Sequence, residues 1–233
     1  MRLTSFVAAA ALAALLAVPA SAGIIPYTSR AAFDALGSFT PVDWGVFGPA
    51  GTTIITPDSR LVGGINVGVA SSQGLLSRHD ESTDYTGDFA PGDHLLTDDG
   101  SESDSFIVSF GSPVRGFGAQ VEPDYLMGDW SGTIKLYDAS STVIGTFAIS
   151  GTRGTAEDNS APFFGFVSNV ANISFATFVV DQTSIGLPPA GAVAINTMDV
   201  LGSVPESSSL SIAGVGLLGL AGLLLLRRRA FTS

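Results

Sequence analysis

The sequence predicts an all-β protein whose main domain is an antiparallel β-sandwich of jelly-roll-like architecture. Between residues 41 and 201, short runs of β-branched and aromatic residues alternate with turn formers about every eight to twelve positions. Within several runs the apolar residues recur at every second position, which is typical of strands with one buried face. No helical pattern of about ten or more residues separates successive runs, which disfavours a parallel α/β fold. Two packed antiparallel sheets are the expected arrangement.

The first 22 residues have the pattern of a secretory signal peptide. Arg2 follows the initiator methionine, an apolar segment covers residues 6–18, and Ala20, Ser21 and Ala22 form a small-x-small cleavage site. This pattern predicts a signal helix over residues 1–22 with cleavage after Ala22. The domain that follows, residues 23–202, is therefore expected outside the cytoplasm.

The body of the chain begins with a helix pattern and continues with strand patterns. Residues 28–37 combine a hydroxyl N-cap candidate, good helix formers and a closing Gly37, which predicts a helix of two turns. Residues 61–70 predict a glycine-rich strand pair or a bulged strand. The other predicted strands are residues 42–47, 105–110, 114–121, 132–137, 142–149, 163–167, 173–180 and 193–200.

The connections between these strands are predicted from their composition. Residues 111–113, Gly-Ser-Pro, indicate a turn, and residues 138–141 indicate a four-residue hairpin loop. Residues 77–105 are polar, rich in acidic side chains and poor in β-forming sequence. We expect this acidic segment to be a long loop or a lid.

Charge and cysteine content exclude several classes of protein. Between residues 23 and 206 the chain has 21 acidic side chains and six basic ones. Such an excess of negative charge opposes binding to nucleic acids, and it suits solubility outside the cell. The chain has no cysteine, so it contains neither disulfides nor thiolate ligands or nucleophiles.

The C-terminal segment, residues 203–230, predicts a membrane anchor. Residues 210–226 form an uncharged apolar run that would make a helix of about 26 Å, close to the thickness of bilayer hydrocarbon. Arg227, Arg228 and Arg229 follow it, and a basic cluster favours a cytoplasmic C-terminus. The run 210–226 is therefore predicted to be a transmembrane helix with the body on the outer side.

Val204, Pro205 and Glu206, the apolar run and the three arginines together resemble a PEP-CTERM sorting signal. Ser207 stands where that motif usually has a second proline. The resemblance implies an exported bacterial protein that is held transiently in the inner membrane, processed by an exosortase-like enzyme, and delivered to the cell surface or the extracellular matrix. It implies nothing about the chemistry of the domain itself. An uncleaved tail, which would make the protein a permanently anchored periplasmic protein, is the alternative.

One cluster of residues suggests carbohydrate binding. Acidic and aromatic side chains that could contact a sugar occur together in a short stretch, namely Glu122, Asp124, Tyr125, Asp129 and Trp130. They suit a binding site for an exopolysaccharide, and two such carboxylates with an aromatic platform would equally suit a glycosidase. We expect a structural or carbohydrate-binding role without catalysis, and a secreted glycoside-active enzyme is the alternative.

Two metal hypotheses arise from the acidic segment. Asp98, Asp99, Glu102 and Asp104 are close enough in sequence to converge on one Ca²⁺ ion, although no EF-hand pattern is present. His79 and His94 could contribute to a transition-metal site, but a third ligand is not indicated. A solvated acidic loop is the simpler interpretation, and no cofactor is expected.

Overall fold

The computed structural model describes residues 23–98, 106–124, 127–181 and 192–202, and in this part the chain forms two antiparallel β-sheets. The larger sheet contains β1 (Ile24–Tyr27), β2 (Thr40–Val42), β3 (Thr52–Ile55), β6 (Leu75–Asp80), β7 (His94–Thr97), β9 (Gly116–Pro123), β12 (Phe163–Ser168), β14 (Val193–Ile195) and β15 (Met198–Leu201). The smaller sheet contains β4 (Asp58–Val62), β5 (Ile65–Ser71), β8 (Phe106–Val114), β10 (Gly128–Tyr137), β11 (Val143–Arg153) and β13 (Ile173–Asp181). The predicted all-β antiparallel class is confirmed.

The order of the strands determines which of them lie at the open edges. The larger sheet runs β1-β12-β9-β14-β7-β6-β3, with β15 pairing to both β9 and β2. The smaller sheet runs β11-β10-β13-β8-β5-β4. In the larger sheet β1, β2 and β3 each pair on one side only, and in the smaller sheet β11 and β4 do so.

The two sheets pack face to face through an aromatic core. Phe117 of β9 lies 5.7 Å from Phe110 of β8 and 6.2 Å from Phe178 of β13, measured between ring centroids. All three side chains are at most 6% exposed. Burial of such rings supplies the hydrophobic stabilisation that a chain without disulfides requires.

The predicted β10–β11 hairpin is confirmed, and residues 61–70 belong to a strand pair, which was one of their two predicted arrangements. Strands β10 and β11 pair antiparallel, and the Asp138 carboxylate in their loop accepts hydrogen bonds from the Ser140 and Thr142 amides, each at 2.9 Å. Strands β4 and β5 pair across Gly63 and Gly64, whose φ angles are +55° and +86°. Positive φ at both central residues is what a tight two-residue hairpin turn requires.

The predicted turn at residues 111–113 is wrong, because β8 continues through them to Val114. The pairing of β8 with β13 shifts register between Ile173 and Phe175, so residues 110–113 of β8 lie opposite Ser174 alone and interrupt the regular pairing. The chain crosses from the smaller sheet to the larger one at Arg115. There the Arg115 amide donates to the Leu201 carbonyl at 2.9 Å.

Two strand predictions are too long, and one helix is shorter than expected. Residues 42–47 contain only the end of β2, since Asp43 caps a 3-10 helix, Trp44–Phe47, by accepting from the Gly45 amide. Residues 193–200 form β14 and β15, which are separated at Asn196 and Thr197. The predicted helix at residues 28–37 is confirmed as α1 (Arg30–Asp34), capped by the Ser29 hydroxyl. Sequence patterns missed β1 and β3, which are only four residues long.

The acidic segment is not an open loop in its described part, residues 77–98. It includes most of β6 and all of β7, and the residues between them, 81–93, fold back over the outer face of the larger sheet. We call residues 81–93 the covering loop. Tyr85 and Phe89 of this loop join Leu95, Ala161 and Ala194 in a second, smaller core. The prediction of one long loop or lid is wrong for residues 77–80 and 94–97, which are strands, whereas residues 81–93 are a loop that these apolar side chains anchor.

No helix in the four described ranges is long and apolar enough to cross a membrane. The predicted signal, residues 1–22, and the predicted sorting segment, residues 203–230, lie outside the described residues. Both remain predictions.

Candidate functional site

The structure places the predicted sugar-binding residues apart from one another. Trp130 is 4% exposed and packs edge to face against Phe164, with ring centroids 6.2 Å apart. The aromatic platform expected at this position therefore does not lie at the surface. Asp129 is exposed and accepts a hydrogen bond from the Thr152 hydroxyl at 2.7 Å. Asp124 is buried, and Tyr125 lies outside the described residues.

Glu122 is fully buried beneath the covering loop on the outer face of β9. Its carboxylate accepts hydrogen bonds from the Tyr85 hydroxyl at 3.2 Å and the Asp88 amide at 3.3 Å. The Arg153 Nε lies 3.4 Å away. Burial raises the pKa of Glu122 to about 7, and the Arg153 guanidinium opposes that rise. The predicted solvent-facing acid is thus an internal partner of Arg153.

Glu81 is a second buried carboxyl group, which sequence reasoning did not single out. Its Oε1 accepts a hydrogen bond from the Gly87 amide at 2.7 Å, whereas its Oε2 is buried without a hydrogen-bond partner in the described part of the chain. Burial raises the pKa of Glu81 to about 7; the Gly87 amide opposes the rise and the nearby Glu157 carboxylate adds to it. An acid between Asp80 and Ser82 in a polar segment gave no signal of burial.

The two carboxyl groups and Asp88 hold the covering loop in place. Asp88 accepts hydrogen bonds from the Gly154 amide and from the Ala156 amide, the latter at 3.0 Å, so the loop is joined to the segment after β11. The Tyr85 ring lies below the Arg153 guanidinium at 5.2 Å. This polar layer can take up protons near neutral pH, and its Glu81 and Glu122 side chains are fully buried.

The metal hypotheses gain no geometric support from the described residues. Asp98 is buried and accepts from the Ser71 hydroxyl at 2.9 Å, while its three proposed co-ligands Asp99, Glu102 and Asp104 lie outside the described ranges. Within those ranges no group of three His, Asp or Glu side chains could hold a metal ion.

The two histidines each contact a carboxylate instead. His79 Nδ1 lies 3.0 Å from Asp84, and His94 Nδ1 lies 2.5 Å from Asp43. In the β6–β7 pairing, His94 is the register partner of Asp80 rather than of His79. Because neighbouring residues of a strand point to opposite faces, the two imidazoles leave the sheet on opposite sides.

A cavity of about 320 Å³ lies at the open edge of the sandwich where β1 and β11 end their sheets. We call it the edge cleft. Its walls come from both sheets, and its lining residues are Pro26, Tyr27, Thr28, Thr146, Phe147, Ala148, Ile149, Phe164 and Phe166. The volume is in the range of small-molecule sites in proteins.

The lining of the edge cleft is aromatic with a polar rim. Phe164 and Phe166 are buried and form its deeper part, whereas Tyr27 and Phe147 are half-buried and offer accessible ring surface. Thr28 and Thr146 are exposed at its rim and can donate or accept hydrogen bonds. The lining contains no carboxyl group and no imidazole. This arrangement can bind a ring with one apolar face and several hydroxyls.

No single stretch of the sequence could have identified the edge cleft. The pairing of β1 with β12 brings Tyr27 beside Gly165. Packing of the two sheets then places the ring centroids of Phe147 and Phe166 4.6 Å apart. The only local signal was an aromatic residue in a strand pattern at residues 142–149, where core packing is the ordinary expectation.

No protein-family model and no curated protein sequence matches this chain. Among solved structures, a DUF4465 family protein from Bacteroides caccae is similar over 77% of this chain and 100% of its own, with 12% identity and a TM-score of 0.40. The CsCBM6-3 structure from Clostridium stercorarium in complex with cellobiose covers 67% of this chain and 98% of its own, with 14% identity and a TM-score of 0.32. Similarity at this level does not assign a ligand or an activity to this chain.

Proposed function

We propose that this chain is an exported, non-catalytic binding protein that holds a neutral sugar unit of an extracellular polysaccharide in the edge cleft. The observation that carries the proposal is the cleft's combination of accessible aromatic rings with threonine hydroxyls at its rim. A pyranose ring presents C–H groups on its faces and hydroxyls around its edge. Aromatic faces attract the C–H groups of the sugar, and threonine hydroxyls can form hydrogen bonds with its hydroxyls.

Binding without hydrolysis is supported by the positions of the carboxyl groups. Glycosidases of the common types need two carboxyl groups on either side of the scissile bond. The edge cleft has none in its lining, and Glu122 is enclosed with Arg153 under the covering loop. We therefore propose that the glycoside-active alternative does not apply.

The location of the protein is proposed from its sequence. The signal pattern at residues 1–22 supports export, and the segment with Val204, Pro205 and Glu206 supports processing by an exosortase-like enzyme. The apolar run and Arg227 to Arg229 would hold the precursor in the inner membrane until that step. The processed domain would then reach the cell surface or the matrix, where a polysaccharide ligand is available.

Titration calorimetry with the full chain in mild detergent tests the binding proposal. The probes are four neutral tetrasaccharides: cellotetraose, xylotetraose, maltotetraose and chitotetraose. We expect at least one of them to bind, and Tyr27→Ala to weaken that binding roughly tenfold through loss of ring contact. Thr146→Val, which removes a rim hydroxyl at nearly constant volume, should weaken it by a smaller factor.

The matched control is Thr53→Val, since Thr53 is exposed on β3 at the opposite open edge. It should leave the affinity unchanged. Absence of binding to all four probes, or equal affinities for the parent and Tyr27→Ala, would overturn the proposal.

A further inference from the structure

The outer face of the smaller sheet carries a stacked aromatic pair. Ile134 and Leu136 of β10 point into the core. Because side chains alternate along a strand, Lys135 and Tyr137 point outward. Tyr137 is the register partner of Phe175 on β13, and their rings stack 4.4 Å apart at an interplanar angle of 7°. Both side chains are half-buried, so part of each ring is accessible.

Lys135 lies beside this pair and is the only lysine of the chain. It is exposed, and it is the register partner of Thr177 on β13 and of Thr146 on β11. Two residues along a strand separate Lys135 from Tyr137, which corresponds to about 7 Å. The outer face thus presents a cation, two hydroxyls and an aromatic pair within one small area.

The surroundings of Lys135 differ from those of four of the five arginines in the described ranges. Arg30, Arg60, Arg78 and Arg153 each form a salt bridge with an acidic side chain. No salt bridge to Lys135 occurs among the described residues. Arg115 also has no salt bridge among these residues, but its Nε is buried, whereas the Lys135 side chain is exposed.

A purely structural role explains only part of this arrangement. Cross-strand aromatic pairs stabilise sheets by about 0.2–1 kcal/mol, which accounts for Tyr137 and Phe175 stacking on each other. It does not account for an exposed lysine placed next to them and flanked by two threonines. A protein partner could also contact an aromatic face, but an exposed cation beside the rings favours a ligand with both a sugar-like ring and a negative charge. The net negative charge of the domain opposes such a ligand at long range, so the attraction has to come from Lys135 itself.

We propose that this outer face is a second saccharide site, which binds an acidic polysaccharide segment through a uronic acid unit. The carboxylate would pair with Lys135, the sugar ring would contact Tyr137 and Phe175, and the ring hydroxyls would bond to Thr177 and Thr146. Thr146 also lines the edge cleft, so the two sites adjoin at β11. The face binds its ligand whether or not the edge cleft is occupied.

The test compares tetragalacturonate with its methyl ester, which has the same sugar rings but no charge. With the full chain in detergent at low ionic strength, we expect the acid to bind more tightly than the ester. Lys135→Gln should weaken binding of the acid roughly three- to tenfold, since one charge-assisted hydrogen bond is lost, and Lys135→Arg should largely retain it. Added salt should weaken binding of the acid to the parent and have little effect on the Gln variant.

Arg60→Gln serves as the control, because it removes another partly exposed cation of the smaller sheet, at the β4 edge. The site would be refuted if Lys135→Gln left the affinity for tetragalacturonate unchanged, if acid and ester bound equally, or if neither bound. A failure of the edge-cleft proposal can be told apart from a failure of this one. Tyr27→Ala should weaken binding of the neutral tetrasaccharides, whereas Lys135→Gln should weaken only the binding of tetragalacturonate. Binding that disappears in Tyr27→Ala and persists in Lys135→Gln would assign the acid to the cleft and overturn this proposal.

Discussion

The buried carboxyl groups of Glu81 and Glu122 should make the folded protein less stable as the pH rises from 5 to 8. Both groups have pKa values raised by burial from an ordinary 4.5 to about 7. The folded state therefore holds protons that the unfolded chain releases in this range. In most proteins the carboxylates increase the stability of the folded state as the pH rises from acid to neutral. Here the expected change with pH has the opposite sign.

The magnitude follows from the size of the shift. A carboxyl group with a raised folded-state pKa contributes stability that is fully present below pH 4.5 and is lost as the pH rises through 7. A rise in pKa from 4.5 to about 7 corresponds to about 3 kcal/mol for each group. The attraction between Glu122 and Arg153 grows as Glu122 ionises, which offsets part of the stability lost at Glu122. Glu81 forms no salt bridge in the described part of the chain, and its Oε2 has no hydrogen-bond partner there. The loss of stability with rising pH should therefore be seen most clearly at Glu81.

Urea denaturation of the full chain at pH 5, 6, 7 and 8 measures this dependence. We expect the free energy of unfolding to fall by several kcal/mol across the series while the m-value stays constant. Glu81→Gln keeps an acceptor for the Gly87 amide and removes the titrating proton. In this variant the free energy of unfolding should change with pH about half as much as in the parent. At pH 8 the variant should be more stable than the parent.

Asp129→Asn is the matched control, because Asp129 is an exposed carboxylate near the same end of the sandwich. It should leave the slope unchanged. A free energy of unfolding that rises from pH 5 to pH 8, or a Glu81→Gln variant with the same pH dependence as the parent, would refute the assignment of proton-binding carboxyl groups to Glu81 in the covering loop and Glu122 beneath it.

Three further predictions concern stability, each measured as the unfolding free energy from urea denaturation at pH 6. Phe117→Ala should cost about 3–5 kcal/mol, because its ring fills the space between the sheets against Phe110 and Phe178; a loss below 1 kcal/mol would contradict that packing. Trp44→Phe should cost about 2 kcal/mol, since the indole N–H donates to the Asn196 carbonyl at 2.7 Å in the interior; an unchanged stability would argue against this hydrogen bond. Gly63→Ala should cost about 1 kcal/mol or more, because φ is +55° and the new Cβ would lie 2.3 Å from Thr40 Cγ2; a more stable variant would contradict the turn geometry.

The predictable part of the fold is the part that local patterns determine. The β10–β11 hairpin follows from alternating residues around the Asp138 loop, and the β4–β5 turn follows from two consecutive glycines. The Gly-Ser-Pro segment at residues 111–113 looks like a turn, but β8 stays extended through it, since Phe110 pairs with β5 before the segment and Val114 pairs with β13 after it. That outcome depends on strands distant in sequence, which no local pattern reveals.

The candidate sites were less predictable than the fold, because tertiary packing decides which polar and aromatic side chains reach the surface. Glu122 and Trp130 have the composition of a sugar site, yet the covering loop and Phe164 enclose them. Tyr27 and Phe147 resemble core residues in sequence but line an open cavity, since they belong to strands at the ends of two different sheets. Edge position is a property of strand order, and strand order was not predictable from this sequence.

Export and processing are tested by the intact mass of the protein recovered from the surface or the medium of its native host. A product that begins near Gly23 and ends close to Glu206 is the expected result. A product that retains Arg227 to Ser233 would show that the protein keeps its C-terminal segment.

The most direct test of saccharide binding in the edge cleft is an amide chemical-shift titration of the isotope-labelled protein with the tetrasaccharide that binds best. The expected shifts concentrate at Tyr27, Thr28, Thr146 and Phe147, and they saturate with the dissociation constant found by calorimetry. Saturating shifts confined to the covering loop or to the β3 edge, with the cleft residues unmoved, would contradict the assignment of the binding site.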